Sequence, residues 1–240
     1  MIHTERREHT LVVTIDRQER RNAVDLDALD AMRGVFGSLD KTVRVVVLTG
    51  AGGNFCSGAD LGAVKDRGFA RSVRSTLDAL VALPVLTIAA VSGFALGAGT
   101  QFASACDLRV ATETARFGVP AVRLGLVVDE WTVRRVADLM GPSLARSVLL
   151  GAETVDLERA MSSGFVHREG SLDDALDWAA ELGALAPLSI AGHKLALEAA
   201  GGPLGSAEVE AGIEQAWTSE DFAEGISAFA DRRIPRFTGD

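Results

Sequence analysis

At 240 residues the chain is long enough for one well-buried domain, and 48% hydrophobic with 24% charged residues is ordinary for a globular protein. A formal net charge of −9, from 33 acidic and 24 basic side chains, excludes a global nucleic-acid role, because phosphate binding shows as a basic excess. An anionic small ligand is still allowed, since it needs only a local basic cluster or aligned backbone N–H groups.

The opening M-I-H-T-E-R-R-E-H-T holds no apolar segment of the signal-peptide kind, and no apolar run reaches membrane-spanning length, so the expected location is the cytoplasm. Leu11 to Ile15 is a β-branched run that predicts a strand. After a charged turn at 17–21, Leu26, Leu29, Met32 and Phe36 recur at helical spacing and predict a helix over 25–36. Val43 to Thr49 predicts a second strand, apolar on both faces as a covered strand should be. It runs into the glycine-rich loop G-A-G-G-N-F-C-S-G-A-D-L.

A helix over 72–83 ends before Pro84, and 85–91 predicts a third buried strand followed by S-G-F-A-L-G-A-G-T-Q. Residues 97–105 predict a helix of small side chains, and 108–111 a short strand. Beyond Trp131 the pattern is helical almost to the end, broken at Gly141-Pro142, Gly164, Pro187, Gly201-Gly202-Pro203 and Pro235. Strand–loop–helix units followed by helices predict an α/β core over 1–186 and a helical region over 187–240, in one folded unit. Residues 201–206 are the best candidate hinge. The helices expected at 206–217 and 220–230 cannot build a core alone, so they must pack on the main domain or on a partner subunit.

Cys56 and Cys106 are too few for a disulfide framework and lack metal-ligand spacing, so buried reduced thiols are expected. Each of the two most apolar strands ends in a glycine-rich turn, at 50–59 and 93–99. No G-x-x-x-x-G-K-[ST] phosphate loop and no G-x-S-x-G elbow occurs, and Gly97-Ala98-Gly99 lacks the last glycine of a dinucleotide fingerprint. Two readings of the turns stay open from the residues alone. They either let a helix pack closely on a strand, or they aim two N–H donors at one oxygen, as an oxyanion hole for a thioester enolate does.

The sequence resembles the crotonase (enoyl-CoA hydratase/isomerase) superfamily over nearly its whole length. The blocks that carry the resemblance are R-R-N-A-V at 20–24, V-V-V-L-T-G-A-G-G-N-F-C-S-G-A-D-L at 45–61, V-S-G-F-A-L-G-A-G at 91–99, A-C-D-L-R-V-A at 105–111, A-R-F-G-V-P at 115–120 and F-A-D-R-R-I-P-R-F at 229–237. It implies an α/β crotonase-like spiral of ββα repeats, with a C-terminal helical region that builds trimers or dimers of trimers. It implies oxyanion donors at the backbone N–H groups of Ala59 and Ala98. The ligand it implies is a fatty acyl- or enoyl-coenzyme A thioester, with no further cofactor and no metal. Coenzyme A is placed along Arg20, Arg21, Ala23 and Val24 and near Asp60 and Leu61, with Arg17, Arg232 and Arg233 as further sources of positive charge. Each arginine has a plainer reading as a solvated surface charge. Asp60 is expected to hold its loop rather than react.

Hydratases of this family use two glutamates, and the resemblance places them at Gln101 and Ala121. Gln101 can orient a ligand through its amide but cannot exchange a proton at neutral pH, and Ala121 can do neither. General acid–base catalysis contributes roughly 10²–10⁴-fold per group, so binding without ordinary hydration is the coherent expectation. Asp129 matches an aspartate of the family's dienoyl-CoA isomerases and is the one inherited candidate acid, with a raised pKa if its apolar setting buries it. Its competing reading is an N-cap for a helix starting near Glu130, whose own charge suits the first helical turn. Active double-bond isomerisation through Asp129 is the alternative function. The segment G-L-V-V-D-E-W-T-V-R-R resembles a mycobacterial branch associated with mycolic-acid lipids, in which Trp131 stands beside the acyl channel; otherwise Trp131 is a core aromatic. A carrier that hands its thioester to a lipid-synthesis enzyme is a further reading. His3, His9, His167 and His193 lie outside the matched blocks, so histidine catalysis is not expected.

Overall fold

The structure, a computed structural model, describes residues 1–60, 62, 67–199 and 207–240. Strands β1 (Ile2–Arg7), β2 (Thr10–Ile15), β3 (Val45–Gly50), β4 (Leu86–Val91), β6 (Leu108–Ala111) and β8 (Arg168–Glu169) lie in that order in a six-stranded sheet. Within this sheet β1 and β2 pair antiparallel, and the pairings of β2 with β3, β3 with β4, β4 with β6 and β6 with β8 are parallel. A second sheet has two parallel strands, β5 (Phe94–Leu96) and β7 (Arg116–Gly118).

The unbroken apolar run of β3 follows from burial on both faces. Val46 and Leu48 face the main core, which they share with α1 (Leu26–Gly37), α2 (Arg67–Val81) and α3 (Ala98–Ala105). Val45 and Val47 face the other way, into a smaller core closed by Ala175 and Ala179. Those two alanines lie on α7 (Leu172–Gly183), which follows α4 (Glu130–Met140), α5 (Pro142–Leu150) and α6 (Leu157–Ser162) along the chain. The last helices are α8 (Pro187–Glu198), α9 (Ala207–Trp217) and α10 (Glu220–Asp231). Among the described residues, no helix is long and apolar enough to cross a membrane.

Helix α1 begins where the sequence places it, since Asp25 caps it by accepting the Ala28 N–H at 2.9 Å. Helix α2 starts earlier than the expected 72 and ends at Val81, short of the expected 83. The expected hinge at 201–206 falls outside the described residues. Two short elements depart from the expected pattern. β1 is an exposed edge strand whose polar side chains carry no strand signal; its pairing with β2 makes it a strand. β8 interrupts the otherwise helical second half by extending the sheet beside β6.

Polar ties fix the later helices to this core. Lys194, on α8 and 8% exposed, reaches Asp107 Oδ2 at 2.8 Å and donates to the Val85 carbonyl at 2.6 Å. The same Asp107 oxygen accepts from Thr87 N and Oγ1, at 2.7 and 2.8 Å. Arg109 is 1% exposed and spends its guanidinium on the carbonyls of Phe165, Ala103 and Cys106, and burial lowers its pKa to about 10. Cys56 and Cys106 are both fully buried free thiols, and burial pushes each up to about 12. Neither therefore supplies a thiolate.

Candidate functional site

The two glycine-rich turns leave the carboxyl ends of β3 and β4 and meet there, the usual place for ligands in parallel sheets. The first turn is laced on both sides. Cys56 N–H donates to the Phe94 carbonyl at 2.9 Å and Leu96 N–H to the Cys56 carbonyl at 3.0 Å, while Val24 N–H donates to Gly58 and Asp60 N–H to Val24 at 2.9 and 2.8 Å. Gly99 is required here by close approach, because a Cβ on it would lie 2.0 Å from the Cys56 carbonyl oxygen. Gly58 and Gly97 adopt φ of +119° and +53° and pack against each other, a Cβ on Gly97 being 3.7 Å from Gly58 Cα.

The residues after these two glycines are Ala59 and Ala98. A trans peptide points its C=O and N–H in opposite directions. The Gly58 carbonyl is turned to Val24, so the Ala59 N–H points away from Val24. The Gly97 carbonyl accepts from Gln101 N at 3.1 Å inside the first turn of α3, so the Ala98 N–H points outward from that helix end. Neither N–H has an acceptor among the described residues. Two unpartnered donors on touching turns, one at a helix N-terminus, are equipped to receive one electron-rich oxygen.

Gln101 stands one turn along α3 from Ala98 and is 9% exposed. Its Nε2 donates to Thr132 Oγ1 at 2.7 Å, and the Thr132 hydroxyl donates to Asp129 Oδ1 at 2.5 Å. Ala121 lies in a 3-10 turn (Pro120–Leu124) that follows β7. Because β7 pairs with β5 in the register Leu96↔Gly118, the segments leading to Gln101 and Ala121 emerge from the small sheet side by side.

Asp129 is not buried in an apolar setting, as the catalytic-acid expectation required; its side chain is 39% exposed. It caps α4 by accepting the Thr132 N–H at 3.1 Å, and Arg74 Nη1 lies 3.6 Å from its other oxygen. Glu130 pairs with Arg134 one turn on, fully at the surface. Trp131 packs against the main core with the Arg74 and Arg135 guanidiniums 4.6 and 5.9 Å from its ring, so it joins α2 to α4.

The arginines divide by their partners. Arg17 is held by Asp25 at 2.8 Å and Asp60 at 3.3 Å and also donates to the Ala23 carbonyl, so it braces the turns and is not a free phosphate ligand. Asp60 accepts the Gly62 N–H at 3.1 Å, and that bond, then Arg17, holds its carboxyl below the usual range. Arg20 and Arg21 make no ion pair among the described residues, and Arg21 rests 5.9 Å from the Phe94 ring. Their backbone carbonyls accept from Ser57 Oγ and N, at 3.1 and 3.0 Å, which keeps this positive edge beside the first turn. Ala23 and Val24 are buried beneath it, and Leu61 lies outside the described residues.

Arg233 is spent on Glu224, at 2.6 and 2.8 Å, and on Asp231; that pairing raises its pKa and depresses Glu224 to about 2. Neither Arg232 nor Arg233 contacts the two turns among the described residues. A groove of about 830 Å³ runs beside Glu224 and Arg233, but neither Ala59, Ala98 nor Gln101 lines it. Thr132 and Arg74 are the members of the site that sequence reasoning missed. The signal for Thr132 was the Asp-x-x-Thr spacing of a helix start, with Thr at the third helical position.

An α/β fold with paired, unpartnered amides at the carboxyl edge of a parallel sheet defines a protein of the crotonase-fold class. The chain belongs to the enoyl-CoA hydratase/isomerase family, whose model matches residues 5–240. It is 38% identical over 250 residues to the probable enoyl-CoA hydratase echA6 of Mycobacterium leprae, covering 100% of both chains. It is 33% identical over 253 residues to 2,3-dehydroadipyl-CoA hydratase of Escherichia coli, covering 98% of this chain and 97% of that one. Among solved structures, an enoyl-CoA hydratase from Mycobacterium tuberculosis H37Rv superposes with a TM-score of 0.87 at 32% identity, over 100% of this chain and 99% of that chain.

Proposed function

We propose that the protein binds a fatty acyl- or enoyl-coenzyme A thioester, in fatty-acid or lipid metabolism, without ordinary hydratase turnover. The observation that carries this reading is the pair of outward N–H groups at Ala59 and Ala98, set to receive the thioester carbonyl oxygen. Arg20 and Arg21 supply positive charge beside them for the phosphates. Gln101 and Ala121, at the positions of the family's two glutamates, leave no group there to activate water or deliver a proton. The aspartate that remains serves as a helix cap.

Likeness to mycobacterial relatives at 38% and 37% identity supports placement in the mycolic-acid-associated branch. Exposed apolar side chains on the C-terminal helices and tail, Trp217, Ile226 and Ile234 at 64%, 61% and 84%, support a homo-oligomer, a trimer or dimer of trimers. Arg232 and Arg233 then reach a thioester only across a subunit boundary. Handover of the thioester to a lipid-synthesis enzyme fits a binder of this kind, with the cytoplasm as its place of work.

The test is isothermal titration with acyl-CoA thioesters from C4 to C20, paired with a hydration assay on the same sample. Saturable binding with no hydration of crotonyl-CoA or longer trans-2-enoyl-CoA is expected. Hydration at ordinary enzymatic rates would overturn the reading, and so would the absence of binding along the whole series.

A further inference from the structure

The orientation of the Gln101 amide follows from counting protons. The Asp129 carboxylate can only accept. It takes the Thr132 N–H and the Thr132 hydroxyl on the same oxygen, Oδ1, at 3.1 and 2.5 Å. With its one proton committed to Asp129, the Thr132 hydroxyl has only lone pairs left for Gln101. The Gln101 group facing Thr132 must therefore be the NH₂, as the 2.7 Å contact has it. An amide flip would set the Gln101 carbonyl against an oxygen with no proton to give. The carbonyl oxygen Oε1 is thereby turned away from Thr132, and it has no donor among the described residues.

Its direction can be read from the helix. Side chains on a helix lean toward its N-terminus, and positions three apart share a face. Gln101 therefore leans toward Ala98, whose N–H holds the thioester oxygen in the reading above, and in that reading the first carbons of the acyl chain lie on the side of its uncommitted Oε1. Arg74, across Asp129 at 3.6 Å, steadies the far end of the relay.

We propose that Asp129 and Thr132 are positioning residues that lock the Gln101 amide as a fixed acceptor, so that the pocket selects thioesters carrying a hydrogen-bond donor on the third acyl carbon. This rests on the thioester-binding reading and assigns that site a polarity. A hydroxyl on the third acyl carbon is matched, a plain methylene is neutral, and a keto oxygen at the same carbon faces another acceptor. An unlocked amide would rotate to suit either a hydroxyl or a keto group, so the preference depends on the relay as well as on Gln101.

The test compares 3-hydroxybutyryl-CoA, each stereoisomer separately, with butyryl-CoA and acetoacetyl-CoA by isothermal titration. One hydroxy isomer should bind about fivefold tighter than butyryl-CoA, the factor supplied by a net hydrogen bond of roughly 1 kcal/mol. Acetoacetyl-CoA should bind more weakly than butyryl-CoA. In Thr132→Val the hydroxy-to-keto affinity ratio should fall toward one, and Thr132→Ser should restore it, which loss of packing alone would not produce. If Thr132→Val does not fold, Gln101→Leu is read instead and should erase the hydroxy preference. A wild-type ratio near one, or a ratio unmoved by the variant that is read, would overturn the lock while leaving thioester binding in place. Failure of all the ligands to bind would remove the binding reading and this one with it, a visibly different result.

Discussion

The two sides of the site are built from different materials. One side is backbone, the N–H groups of Ala59 and Ala98, aimed by the carbonyls of Gly58 and Gly97 and by the pairings of Val24 and Cys56. The other side is side chain, the Gln101–Thr132–Asp129 relay, which links α3 to the first turn of α4. A backbone donor does not depend on which side chain follows it, so Ala can stand at both positions without loss of the donor. A carboxylate is a single residue deep, and one substitution removes its chemistry. Under the proposed function, that difference is how the chain would keep the means of holding a thioester without the means of transforming it.

Ala98→Pro presses hardest on this contrast. Proline at the first helical position keeps the helix but deletes the N–H. Thioester affinity should fall up to about tenfold, the factor for one net hydrogen bond of roughly 1 kcal/mol or a little more, while the urea midpoint stays near that of the wild type. A large drop in midpoint would show the amide to be structural, and the backbone side would lose its distinction.

Asp129→Ala works on the other side. Loss of the cap should cost about 1 kcal/mol in urea unfolding, with Asp129→Asn recovering most of it. If Asp129→Asn abolished a measurable double-bond migration at unchanged stability, Asp129 would be an acid and the side-chain half would be reactive after all.

His167 belongs to neither half and gives the smallest effect, as a control on the scaffold. Burial, then the charge of Arg109, lowers its pKa from 6.5 to about 4, and the Arg109 N–H occupies its Nδ1 lone pair at 3.2 Å. The unfolded chain therefore binds more protons between those values, so stability is full above pH 6.5 and declines as the pH falls toward 4. The residue is only partly buried, and screening should hold the loss to about 1 kcal/mol or less. His167→Gln should flatten that part of the pH–stability curve, leaving thioester binding unaltered.

Much of this was legible in the chain because local patterns announce local structure. The doubly buried β3 showed as V-V-V-L, α1 showed its apolar stripe, and the two turns showed their glycines. The residues that escaped depend on partners far along the sequence. Arg17, Arg20 and Arg21 look alike in one dimension, yet Asp60, 43 positions beyond Arg17, shares that guanidinium with Asp25, while Arg20 and Arg21 make no ion pair among the described residues. Thr132 acquires its meaning from Gln101, 31 positions earlier. The first strand hid for the opposite reason, since β1 is held by ladder bonds that any side chain permits.

The hold of Lys194 on the Val85 carbonyl also sets a timetable. The two groups are 109 positions apart, and at about 5–20 residues per second a ribosome needs roughly 5–20 s to bridge that interval. During that time the start of β4 has been made but its lysine has not, and Asp107 waits for its counter-charge. Until Lys194 is made, the Val85 carbonyl and the Asp107 carboxylate lack the one side chain that joins them in the finished fold.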